Sequence, residues 1–221
     1  MKRVVRWMGV LALAALVSAC ATVATTAIVS MAPELLAVSL RQYSFRSEFA
    51  EAQALLQKRD WLGLSTLARQ RLDAQPARGE WWELAGYGHL QAGELRPARE
   101  CFERATRLLP EEVSGWNLYA ATLARLGDAR GAERALERAL QTDPTSTLAW
   151  VQLGDLHAAA GRSREAARAY ERALEIDQRD IFAWLGTGLL ARRNGDREAL
   201  GRATAALKQL YPPFAERLTA P

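Results

Sequence analysis

His89 and His157 are the only histidines of this chain, and Cys20 and Cys101 its only cysteines. Acid–base, nucleophilic or metal chemistry would have to reside in these four and in the carboxylates. A zinc-type centre needs two or three converging ligands, and no His or Cys cluster provides them. Asp155 and His157 stand two apart, a spacing that puts them on different sides of a helix, so they make no catalytic dyad. The histidines themselves are separated by twice 34 residues, which marks both as occupants of one recurring packing position. No G-x-S-x-G elbow and no G-x-x-x-x-G-K phosphate loop occurs. Glu111-Glu112 reads as a solvated pair, and Glu100 with Arg104 and Glu103 with Arg107 as i,i+4 pairs on exposed helix faces. Cys101, beside Phe102, has the character of a small buried hydrophobe. One disulfide between the two cysteines is possible in principle. The inventory argues for a protein without catalytic residues, metal, cofactor or small-molecule substrate.

The elements that carry these residues are periodic. Trp82, Trp116, Trp150 and Trp184 are 34 apart, and so are Gly93, Gly127, Gly161 and Gly195. Small residues follow each Trp by four (Gly86, Ala120, Gly154, Gly188). Ala98, Ala132 and Ala166 come twelve further on, where they let antiparallel helices approach. Phe102, Leu136 and Tyr170 and then Ala105, Ala139 and Ala173 complete one face of a second helix. The glycines stand between the helices, where a left-handed cap is wanted. Pro110, Pro144 and Pro212 stop the second helices, with Gln178 as the exception. Composition agrees with a folded chain, at 24% charged and 8% aromatic residues. The net charge of +4 is concentrated at the start. Without Lys2, Arg3 and Arg6 the 29 basic residues fall to 26 against 25 acidic, so nucleic-acid binding has no basic stripe to rest on.

These registers resemble the tetratricopeptide repeat, whose period is 34 residues and whose signature is W, L-G, Y, A, F, P. The histidines fill the place of its Tyr. The resemblance implies an all-α fold, a right-handed superhelical solenoid of helix-turn-helix hairpins, with four units at 79–112, 113–146, 147–180 and 181–214. Residues 45–78 look like a degenerate fifth unit in which Glu48 replaces the Trp. In the last unit Leu200, Thr204 and Leu207 depart from the pattern. The remainder, 215–221, is expected as a C-terminal tail, so that the last unit either caps itself or is covered by a partner. In this family the first helices line a concave, partner-binding groove. Carried onto this chain, the groove positions are Glu83, Tyr87, Gln91, Asn117, Arg125, Val151, Gln152, Asp155, Leu189, Arg192 and Arg193. Of the Lys, Arg and Asn residues that clamp a terminal carboxylate in some relatives, Asn117 alone matches. A peptide with alternating apolar anchors and a few charges suits the set better.

The N-terminus sets the compartment. "MKRVVRWMGVLALAALVSAC" has a basic start, an apolar run from Val10 to Val17 and small residues before Cys20, the pattern of a secretory signal over residues 1–19. Its ending, "LVSAC", resembles the lipobox of bacterial lipoproteins, which implies lipidation of Cys20. Ala21, in place of Asp, points to the outer membrane. Residues 20–44 then form a lipidation site and membrane-proximal segment. An uncleaved inner-membrane anchor also fits, because no charge occurs from Trp7 to Pro33, long enough for a span of roughly 20 residues. Both readings place the chain beyond residue 33 on the periplasmic side of a bacterial envelope. The expected function is a non-catalytic, membrane-anchored adaptor that binds an envelope protein or peptide segment and supports assembly of a complex. "ALKQLYPP" adds a resemblance to the pilotin-type lipoproteins of type IV pilus biogenesis. The alternative is a regulatory subunit of a separate envelope enzyme, of cell-wall synthesis or cytochrome maturation.

Overall fold

Left-handed backbone at every 34th residue divides the chain into helical hairpins. In the computed structural model, which describes residues 49–219, Gly93, Gly127, Gly161 and Gly195 have φ of 82°, 83°, 74° and 74°. At each turn the N–H after the glycine reaches back five residues: Glu94 to the His89 carbonyl, Asp128 to Leu123, Arg162 to His157 and Asp196 to Ala191, all at 2.9 Å. This six-to-one bond closes the end of the first helix in a Schellman turn. The same turn recurs one period upstream, where Asp60 N–H bonds the Leu55 carbonyl at 2.9 Å. There the left-handed position is Arg59, with φ of 55°. A side chain in this conformation is strained by roughly 1–2 kcal/mol.

Eleven helices result among the described residues, with no strand. They are α1 (Ala50–Gln57), α2 (Trp61–Ala74), α3 (Gly79–Gln91), α4 (Leu95–Leu108), α5 (Val113–Arg125) and α6 (Ala129–Thr142), then α7 (Thr147–Ala159), α8 (Ser163–Ile176), α9 (Ile181–Asn194), α10 (Arg197–Leu210) and α11 (Pro212–Thr219). The second helices end at Ala74, Leu108, Thr142, Ile176 and Leu210, one period apart whether or not a proline follows. Proline is therefore not what stops them. Pro212 instead opens α11, at the first helical position, where its missing N–H costs nothing. Asp60, Asp128 and Asp196 begin second helices by accepting from the N–H three residues on, at 2.8–2.9 Å.

The chain forms two compact units that divide inside α7, between Ala149 and Trp150. In the first, α1 to α6 pack in sequence around a core of Phe49, Leu64, Trp81, Leu84, Tyr87 and Phe102. Phe49 and Trp81 rings lie 4.7 Å apart, and Trp61 meets Tyr87 edge-on at 5.8 Å. A methyl on Gly88 would come within 2.9 Å of the Trp61 carbonyl oxygen, so α3 lies directly on the backbone of α2. In the second unit α8 packs on α9, α9 on α10, and α11 on both α9 and α10. Tyr170 fills the space left by two glycines. A methyl on Gly154 or Gly186 would stand 2.5 or 2.4 Å from its ring.

The end of the array differs from the expected tail. Ala215 and Leu218 of α11 are buried against Leu185, Ala203 and Leu207, and Leu218 occupies the hollow over Gly188. Arg192 donates to the Arg217 and Leu218 carbonyls at 3.2 and 3.5 Å, closing the C-terminus of α11. A short helix suffices as a cap because two apolar side chains and one arginine complete it. The expected signal segment 1–19, Cys20, the expected membrane-proximal segment 20–44 and Glu48 lie outside the described residues, as does the run "PELLAVSLRQYSF" up to Phe45. Among the described residues no helix is long and apolar enough to cross a membrane.

Candidate functional site

The tryptophan ladder faces outward more than its size suggests. Trp82, Trp116, Trp150 and Trp184 are half-buried. The indole N–H of Trp82 donates to the Pro76 carbonyl, that of Trp116 to Pro110 and that of Trp184 to Gln178, at 2.8–2.9 Å, six residues upstream each time. Each thus fastens the loop before its own hairpin. Arginines of the second helices cover the rings: Arg104 over Trp82 at 4.5 Å, Arg138 over Trp116 at 5.8 Å and Arg172 over Trp150 at 5.9 Å. Such a stack contributes about 0.5–1 kcal/mol at an exposed site. Beside Trp82 a cleft of about 430 Å³ opens between α2, α3 and α4, lined by Arg69, Asp73, His89, Glu100, Cys101 and Arg104 among others. His89 Nδ1 lies 2.6 Å from Glu94 Oε2. Burial pushes the Cys101 thiol up to about 11, so at neutral pH it is no thiolate nucleophile. The cleft can hold a side chain, and of its lining His89 is paired with Glu94 and Arg104 lies over Trp82. Among the described residues no three His, Cys, Asp or Glu side chains gather into a metal site.

The groove positions divide by unit. In the first, Glu83 and Tyr87 share one face of α3, four residues apart, and both are buried. Ser114 of α5 donates to Glu83 Oε1 at 2.9 Å. Burial raises the Glu83 carboxyl to about 7, the Ser114 hydrogen bond opposes the rise, and the charges of Glu112 and Glu80 add to it. The Tyr87 hydroxyl and Asn117 Oδ1 are closed to solvent and have no hydrogen-bond partner. Gln91 is half-buried and Arg125 exposed, with Arg125 Nη1 3.5 Å from the Leu90 carbonyl at the end of α3.

In the second unit Val151 is buried. Gln152, Asp155 and Leu189 are half-buried, and Leu189 packs on the cluster around Leu218. Asp155 Oδ1 accepts from the Tyr170 hydroxyl at 2.6 Å, and burial lifts the Asp155 carboxyl to about 7 against the pull of that bond. Arg193 repeats the role of Arg125 one hairpin pair later. Its Nη1 donates to the Ala158 carbonyl near the end of α7 at 2.6 Å, and Nη2 to Ser163 Oγ at 3.3 Å.

The expected groove positions are therefore partly internal. Glu83, Tyr87, Asn117 and Val151 are buried, Glu83 against Ser114 of α5 and Tyr87 against Trp61 of α2. Arg192 and Arg193 answer helix-end carbonyls that would otherwise lack a donor. Gln91, Arg125, Gln152, Asp155 and Leu189 remain at least partly open. Nothing in the sequence marks Ser114 as a partner of Glu83. The arginines that cover the tryptophans do carry a signal, the constant 22-residue step from each Trp to its Arg, which the repeat signature does not include.

Residues 123–192 match the tetratricopeptide repeat family. Solved structures share the fold. One titled as a crystal structure of MamA protein is 22% identical, covering 73% of this chain and 88% of its own, with a TM-score of 0.63. TTC0263, a thermophilic protein of this repeat class from Thermus thermophilus, is 16% identical over 78% of this chain and 96% of its own, with a TM-score of 0.66. YrrB, described as having an unusual peptide-binding site, is 18% identical over 82% and 95%, with a TM-score of 0.60. No curated protein matches this chain.

Proposed function

With a chain built of tetratricopeptide repeats as the premise, we propose that it is a non-catalytic adaptor of the bacterial envelope. In this reading its first-helix faces receive an extended segment of another envelope protein, and a lipid on Cys20 holds it at the outer membrane, on the periplasmic side. The observation that carries the reading is the series of near-identical hairpins behind an N-terminus ending in "LVSAC". A repeat array supplies shape and a row of side chains, not reacting groups. YrrB, similar in fold, offers a precedent for peptide binding. Anchoring raises the local concentration of a weakly held partner. Assembly of a pilus or secretin complex is the specific role proposed.

A photo-crosslinking residue at Gln91, on the first-helix face, should capture one envelope protein in living cells, and the same residue at Glu137, on the exposed side of α6, should not. Equal capture at both positions removes the groove reading. A captured hydrolase in place of a secretin or pilus component would make the chain a regulatory subunit instead. Palmitate labelling of the protein, abolished in Cys20→Ala, is the expected mark of the lipid anchor. An unlabelled wild type leaves the uncleaved anchor.

A further inference from the structure

Two oxygen atoms on α7 lack a hydrogen-bond donor. Gln152 Oε1 and Asp155 Oδ2 are both closed to solvent, and neither has a partner. The residues are three apart and so are neighbours on the helix surface, at a Cβ separation of about 5–6 Å that Gln and Asp side chains bridge. The other carboxyl oxygen of Asp155 is already engaged by Tyr170. An inaccessible acceptor left unpaired is costly. Both atoms are closed to solvent, so a donor already within the protein answers them most simply.

We propose that Asp155 carries a proton on Oδ2 and donates it to Gln152 Oε1, while Asp155 Oδ1 accepts from the Tyr170 hydroxyl. One proton then pairs both orphaned oxygens. The direction in which burial moves this carboxyl, up to about 7, agrees with the geometry. Tyr170 of α8 remains a donor throughout, since burial and Asp155 hold its hydroxyl well above the usual phenol range. Arg193 of α9 acts on that hydroxyl in the opposite sense and is itself bonded to Ala158 and Ser163. His157, the other titratable group of α7, stands two residues along and turned away. Protonated, this face of α7 is neutral. Above the midpoint it becomes a buried carboxylate beside an amide oxygen, and the cost of that buried charge destabilises the folded state. The inference concerns this hairpin alone and stands whether or not a partner occupies the face.

The test uses full-length protein in detergent, labelled with carbon-13 at the aspartate carboxyls, with Asp155→Asn to assign the signal. The Asp155 carboxyl should titrate with a midpoint of about 7 or above. Asp155→Asn, whose amide donates to Gln152 and accepts from Tyr170, should stay folded and show a flatter melting temperature between about pH 5 and 8. Gln152→Met, similar in length but without the acceptor, should lower the proton affinity of Asp155 about tenfold, the worth of one hydrogen bond. The rival arrangement has the Gln152 amide turned over, with Nε2 donating to an ionised carboxylate. A midpoint below about pH 5, or a midpoint that rises in Gln152→Met, overturns the proposal.

Discussion

The hairpins α3–α4 and α7–α8 each close off one carboxyl on the first helix, and each answers it with a hydroxyl. The hydroxyls come from different places. Glu83 is met by Ser114, which belongs to the next hairpin, and Asp155 by Tyr170, which belongs to its own. Glu83 therefore ties neighbouring hairpins together, and Asp155 braces a single one. The aromatic residue differs accordingly. Phe102 has no hydroxyl to hold it over Gly86, where a methyl would stand 2.9 Å from the ring. Tyr170 is tethered by its hydroxyl and lies between Gly154 and Gly186, where added methyls would stand 2.5 and 2.4 Å from its ring. A period of 34 thus dictates where side chains stand without dictating what they bind.

The largest expected effect is that of pH. Both carboxyls are raised in the folded protein to about 7, so the folded state holds protons that the unfolded chain releases near pH 4. Their contribution is fully present below that range and is lost as pH rises through about 7, on the order of 3 kcal/mol for each group. Urea midpoints from about pH 4 to 8 measure it. Glu83→Gln and Asp155→Asn should each remove part of the slope and together most of it. A slope untouched by both variants breaks the pairing of the two hairpins. Next come the glycines. Gly154→Ala and Gly186→Ala should destabilise by about 2–3 kcal/mol and Gly86→Ala by about 1, within the range for an overpacked core. Adding Tyr170→Phe should soften the Gly154→Ala loss, because the untethered ring can yield. Equal losses at Gly86 and Gly154 would mean that the tether has no mechanical role.

Removal of the hydroxyls is smaller, about 1–2 kcal/mol apiece. Ser114→Ala should speed amide exchange where α3 meets α5, and Tyr170→Phe where α7 meets α8. Exchange that changes in the same helices for both variants would erase the distinction between a tie and a brace. The smallest effect is a gain. Arg59→Gly should add about 1 kcal/mol by relieving the left-handed turn, and leave both carboxyl midpoints where they are.

What repeats is legible in the residues. The glycine ladder sets the left-handed turns, and the small and aromatic residues at fixed offsets set the buried stripe of each second helix. Period also locates the degenerate first hairpin, although Arg59 stands where its glycine should, because backbone hydrogen bonds hold the turn against the strain. What occurs once is not legible. Ser114 looks like any serine until α5 sets it 2.9 Å from Glu83, and Arg192 and Arg193 look like groove cations until α11 and α7 present their carbonyls. Helical phase makes the first-helix face look open because it gives direction alone. Whether a direction leads to solvent or to a neighbouring helix depends on how closely hairpins stack. Gly88 of α3 and Gly186 of α9 carry no side chain where they meet the preceding hairpin, so the hairpins stack closely there.

The seat of Leu218 over Gly188 also limits how this molecule can lengthen. A copy joining head to tail at that edge, as the first step of a filament, would have to lever out Leu218 and strip Arg192 from the last carbonyls of α11. Gene duplication meets the same barrier. A further hairpin inserted ahead of Pro212 would instead carry α11 along as its cover.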